Sequence, residues 1–216
     1  MIRIVRAAPA LLAAGCSLAC AQGLNIHADL LSAARAGDAA SAQRLLEQGA
    51  SPNARNALGD TPLNTAARTG QAALVKVLLA HGADVDEPNL ARVTPLMAAA
   101  FGGHADIVRE LLAHHADFRP EDRIHKTALI YAACSDASAS VGALLDAGAD
   151  VDRRDAVGAT ALLWAAGCGK VDSVAVLLAH KADAQARDER GMTALAIARA
   201  AKEEAVVKAL LDAGAR

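Results

Sequence analysis

A pair of leucines recurs at a fixed interval along this chain, as Leu45-Leu46, Leu78-Leu79, Leu111-Leu112, Leu144-Leu145, Leu177-Leu178 and Leu210-Leu211, each step being 33 residues. Alanine keeps the same step at Ala33, Ala66, Ala99, Ala132, Ala165 and Ala198. So does threonine at Thr61, Thr94, Thr127, Thr160 and Thr193, with Ala28 one step further back in a degenerate first copy. The leucines supply the apolar face that one unit buries against the next, and the small alanine lets neighbouring helices approach closely. Self-similarity at this period predicts a solenoid of stacked units.

Within a unit the local signals predict two short helices. Thr61 is placed to cap the first, Pro62 lies in the tolerated first turn, and Gly70 ends it. The run from Ala73 to His81 then puts Leu74, Val75, Leu78 and Leu79 on one helical face, and Gly82 stops it. Asp84, Asp117, Asp150 and Asp183 recur in the same register and are expected to serve the turns that link one unit to the next. The predicted architecture is an all-α solenoid of about six helix-turn-helix units with β-turn linkers, anchored near positions 28, 61, 94, 127, 160 and 193.

Thr61-Pro62-Leu63-Asn64-Thr65-Ala66 and the Gly82-Ala83-Asp84 and Gly148-Ala149-Asp150 unit ends resemble the ankyrin repeat, and the resemblance covers about Ala28 to Ala215. The chain departs from that pattern in places. The family's histidine, three residues after the threonine, is replaced by Leu31, Asn64, Met97, Ile130, Leu163 and Ala196, which predicts a stack more reliant on apolar contact. Asp136 stands where glycine ends the first helix of a unit, and Arg92 and His125 stand at the turn glycine of two linkers. Copies three and four are therefore expected to be locally irregular.

The resemblance implies a non-enzymatic protein–protein interaction module, because partners of this family are held on the concave side, by the turn tips and the exposed ends of the first helices. Carried onto this sequence, it implies partner contacts from Arg55, Leu58, Leu90, Arg123, Ile124 and Val157 in the turns and from Arg68 and Phe101 at helix ends. Leu90, Phe101 and Ile124 beside Arg68 and Arg123 form the expected centre of the surface.

The first 21 residues belong to no repeat. Arg3 and Arg6, then an apolar stretch over Ala7 to Ala14, then Ala19-Cys20-Ala21 before Gln22, read as a cleaved secretory signal peptide at 1–21, leaving 22–216 as one domain. The apolar run falls short of the roughly 20 residues a spanning helix needs, so no membrane span is expected. Ala13-Ala14-Gly15-Cys16 resembles a lipobox, so a lipid anchor at Cys16 is the alternative end of the same segment. The expectation is a monomeric, bacterial, periplasmic scaffold or adaptor that binds an envelope protein. The alternative is a lipoprotein, or a secreted effector or toxin-neutralising protein with a target outside the cell.

Composition and chemistry narrow the rest. The formal charge is −2, or −4 once Arg3 and Arg6 are removed, which gives no electrostatic footprint for nucleic acid or an anionic membrane. Two Phe, one Tyr and one Trp provide no base-stacking platform. Tyr131 and Trp164 share one position in successive copies and are read as core residues. His81, His114 and His180 share another, beside the end of the second helix, and predict no metal site. Gly167-Cys168-Gly169-Lys170 lacks the spacing and the Ser/Thr of a phosphate loop. No catalytic set and no cofactor are expected. Cys134 and Cys168 lie in adjacent copies, where helix spacing of about 8–10 Å exceeds the roughly 7 Å limit for a disulfide; two thiols or a bridge with local distortion both stay open.

Overall fold

The computed structural model describes the backbone of residues 15–135 and 137–216, with side chains from residue 26 onward. The departure noted at Asp136 lies outside the described residues, as does most of the expected leader. Two helices per copy run in order: α1 Gly15–Ala36, α2 Ala39–Glu47, α3 Pro62–Arg68, α4 Ala72–Ala80, α5 Pro95–Phe101, α6 Ala105–Ala113, α7 Ala128–Cys134, α8 Ser138–Asp146, α9 Ala161–Gly167, α10 Val171–Ala179, α11 Ala194–Ala201 and α12 Glu204–Asp212. Odd-numbered helices stack in one layer and even-numbered helices in a second, so each helix touches its hairpin partner and the equivalent helices of the copies before and after it.

The helix starts follow from the threonines. Thr61, Thr94, Thr127 and Thr193 each accept a hydrogen bond from the backbone N–H three residues on, which satisfies one of the donors a helix N-terminus leaves free. Thr160 makes no such bond, and its buried hydroxyl has no partner among the described residues. Copy one was expected to begin at Ala28. With neither Thr nor Pro there to stop it, α1 instead continues back to Gly15.

Leu63, Leu96, Leu129, Leu162 and Leu195 of the first helices are buried, as are Leu74, Leu78, Ile107, Leu111, Leu144, Leu177 and Leu210 of the second. Ala66, Ala99, Ala132, Ala165 and Ala198 are fully buried between inner helices, where a larger side chain would force the layers apart. The polar link that the missing histidine would provide survives in copy two. Asn64 Oδ1 accepts from the Thr61 N–H and hydroxyl, and its amide donates to Val93 O at 3.2 Å, in the next linker.

The recurring acids serve the loops, as expected: Asp84, Asp117, Asp150 and Asp183 accept from the N–H two residues on. An acid or amide two residues further along reaches the neighbouring copy in two of these loops and in the loop at Ser51, with Asn53, Asp86 and Asp152 accepting from the N–H of Asp84, Asp117 and Asp183. At the linker tips Arg92 (φ 65°) and His125 (φ 60°) adopt the left-handed conformation of Gly59 (φ 76°) and Gly158 (φ 71°). The irregularity expected at these two turns is therefore absent, because the surrounding bonds impose the turn on residues that disfavour it. No helix among the described residues is long and apolar enough to cross a membrane.

Candidate partner-binding surface

One device builds every linker tip. Asn56, Asn89, Asp122, Asp155 and Asp188 stand in the same register, and in each a side-chain oxygen accepts from the N–H groups two and four residues ahead, at 2.8–3.0 Å. These Asx turns fix the tips locally. Neighbouring tips are then joined through the backbone: Leu90 N–H donates to Leu58 O, Ala156 to Ile124 O, and Glu189 to Val157 O, each at 3.1 Å. These bonds join the tips at 56 and 89 into a pair and those at 122, 155 and 188 into a run of three, beside the ends of α3, α5, α7 and α9; among the described residues no such bond links the tip at 89 to the tip at 122.

Leu58, Leu90, Ile124 and Val157 project from this row, and Phe101 from the end of α5; all five are more than half exposed, Phe101 by 63%. Among the described residues the next most exposed large apolar side chain is Leu211, on the last helix, at 46%. Most of the large exposed apolar side chains thus collect at positions the sequence offered as partner contacts. Phe101 meets Tyr131 edge to face, ring centroids 5.8 Å apart. A recess of about 270 Å³ opens beside it, lined by Leu58, Arg68, Met97, Phe101 and Tyr131 and floored by Asp60, Asn64 and Asn89.

Tyr131 and Trp164, read from the sequence as core, are only half-buried on this face and pack their rings against the core. Their polar edges reach the turns: the Tyr131 hydroxyl donates to Asp122 Oδ2 at 2.5 Å and the Trp164 indole N–H to Asp155 Oδ2 at 2.8 Å. Burial, and then the Asp122 carboxylate, push the Tyr131 phenol well above its ordinary pKa. The Lys126 ammonium lies between the two rings, 3.6 Å from the Trp164 centroid and 5.8 Å from that of Tyr131. The Asx register at positions 56, 89, 122, 155 and 188 was the sequence signal that could have found this arrangement.

The predicted charged residues divide. Arg55 pairs with Glu87 of the next linker and donates to Pro88 O, which ties it within the stack. Arg68 and Arg123 are exposed, and no carboxylate among the described residues pairs with either. Glu121 is engaged by His125 Nδ1 at 2.8 Å and by Arg153, contacts that hold its carboxyl below the ordinary carboxylate range.

Cys134 and Cys168, at the ends of α7 and α9, form a disulfide with Cα atoms 5.5 Å apart. The spacing expected of generic helices does not apply, because Ala132, Ala133, Ala165 and Ala166 bring these two helices closer together. His81, His114 and His180 each cap the C-terminus of a second helix. His81 Nδ1 lies 3.0 Å from Val77 O, while His114 and His180 approach Glu110 and Asp146 at 3.7 and 3.9 Å. Among the described residues no group of three or more His, Cys, Asp or Glu could hold a metal ion.

A family model for ankyrin repeats, three copies to the model, matches residues 30–122, 82–155 and 129–216. No curated protein matches the chain.

Proposed function

The chain belongs to the ankyrin repeat family and is a protein–protein interaction module, and from that premise we propose that it is an exported, non-enzymatic scaffold or adaptor gripping an envelope protein through its concave face. The observation that carries this reading is the row of exposed Leu58, Leu90, Phe101, Ile124 and Val157 on hydrogen-bonded tips. Large apolar groups on a rigid surface bind without first being ordered, and clustered anchors of this kind provide most of the affinity in protein interfaces. Contiguous exposed apolar surface also costs solubility unless a partner covers it.

Export is supported by the leader pattern at 1–21 and by the Cys134–Cys168 bridge, since disulfides persist in oxidising compartments such as the periplasm. Cleavage after residue 21 would shorten α1 to residues 22–36, with a lipid on Cys16 as the other end of the same route.

The test is in vivo cross-linking of the tagged chain in its own envelope, followed by mass spectrometry, with Phe101→Asp and Arg123→Glu variants beside the wild type. A stoichiometric envelope partner lost in both variants is the expected result. A partner retained by both variants overturns the concave-face reading. Recovery of the protein only from the medium moves the assignment to a secreted effector or toxin-neutralising protein, and recovery only from the cytoplasm overturns export.

A further inference from the structure

We propose that the middle of the concave face recognises an acidic segment of a partner protein, anchored by one large apolar side chain; this rests on the concave-face reading above. The argument begins with the carboxylates of the tips. Asp122 uses Oδ1 for the N–H groups of Ile124 and Lys126 and Oδ2 for Tyr131. Asp155 uses Oδ1 for Val157 and Ala159 and Oδ2 for Trp164. Asp60 accepts from Asn89 on one oxygen and from Asn56 on the other. All three are buried, and every oxygen already has a donor.

The cations of the same region are placed differently. Arg68, Arg92 and Arg123 are exposed, and no carboxylate among the described residues pairs with them. Lys126 is held over the Trp164 ring, with no carboxylate partner among the described residues. In a chain whose formal charge is −2, the side chains that reach solvent at the centre of the groove are thus positive and apolar. At physiological salt the field beyond about 8 Å is screened, so these local charges, and not the net charge, meet a docked segment.

The recess defines the anchor. At about 270 Å³ it is below the usual size of a small-molecule site, and it opens onto the groove between Leu58 and Phe101. One large apolar side chain entering it would place its neighbours in the segment beside Arg68, which lines the same recess. A carboxylate there forms a charge-assisted, two-pronged bond that lysine or a neutral donor could not reproduce.

The test selects a phage-displayed library of random dodecapeptides on the purified chain. Enriched peptides are then measured in solution by fluorescence anisotropy against wild type, Phe101→Asp, Arg68→Glu and Arg123→Glu, with helical circular dichroism as the folding control. Acidic residues flanking a single large apolar one, with binding weakened roughly tenfold by Arg68→Glu, less by Arg123→Glu, and reduced by added salt, are expected. Basic or uncharged peptides that still require Phe101 overturn the acidic segment and leave the concave-face reading standing. Peptides indifferent to Phe101→Asp overturn both. No enrichment, where the same library yields binders on a control domain, overturns the inference.

Discussion

The Tyr131 hydroxyl and the Asp122 carboxylate share a 2.5 Å hydrogen bond that ties the first helix of copy four to the tip preceding it. Tyr131 is the one tyrosine of the chain, so an alkaline absorbance titration reads this bond alone. Ionisation is expected well above the ordinary tyrosine value of about 10, the folded pKa being raised. A raised folded pKa means that this stabilisation is fully present below the unfolded value and is lost as pH rises through the folded one. Tyr131→Phe removes the donor and is expected to cost about 1–3 kcal/mol in urea denaturation at pH 7, because Asp122 Oδ2 is left buried without its partner. A normal titration, or no change in stability, contradicts the assignment.

Thr160 provides the opposite case. Its hydroxyl is buried without a partner among the described residues, whereas Thr94 caps α5 through the Met97 N–H at 3.3 Å. Thr160→Val keeps the shape and removes an unsatisfied polar atom, so neutral or increased stability is expected. Thr94→Ala removes a working cap and is expected to cost about 1 kcal/mol. Equal losses at the two sites would show that Thr160 has a partner after all.

What could be read from the sequence was what repeats. Thr-Pro starts, helix-ending glycines and the leucine register follow from local rules, and the structure reproduces them from α3 onward. The placement of Leu58, Leu90, Phe101, Ile124 and Val157 on an exposed row was also legible, because turn-tip positions recur with the same period. Tyr131 and Trp164 pack against the core as read, but their half-exposure was missed, because ring size argues for the core whereas their polar edges require partners, and Asp122 and Asp155 stand nine residues earlier to supply them. The distance between Cys134 and Cys168 was not legible, since it depends on how closely buried alanines let α7 and α9 approach.

Arg92 holds a left-handed backbone, φ 65°, where Gly59 serves in the preceding linker. A side chain in that conformation costs roughly 1–2 kcal/mol, part of which glycine returns through its freer unfolded state. Arg92→Gly is therefore expected to raise stability by about 0.5–1 kcal/mol. Gly59→Ala is expected to lower it by more, since a Cβ there would lie 2.9 Å from both the backbone nitrogen and Cγ of Leu90, against the Leu90–Leu58 tip-to-tip bond. Thermal denaturation of both variants checks the pair, and a gain in the second would show that the tips are not joined.

The Cys134–Cys168 bridge closes a loop of 34 residues between neighbouring copies. Loop-closure entropy for such a length sets its contribution at about 3–4 kcal/mol, an upper value here because adjacent copies already restrict each other. Dithiothreitol is expected to lower the urea midpoint of the wild type and to leave a Cys134→Ala/Cys168→Ala variant unchanged. The one tryptophan, Trp164, lies four residues before Cys168, so its fluorescence follows the bridged copies directly. In a solenoid each copy is held mainly by its neighbours. Reduction is therefore expected to separate the tryptophan transition from the transition seen by circular dichroism, copies four and five loosening before the rest. Coincident transitions under reducing conditions would mean that the stack stays cooperative without the bridge, and that the disulfide reinforces an interface already held by its buried alanines.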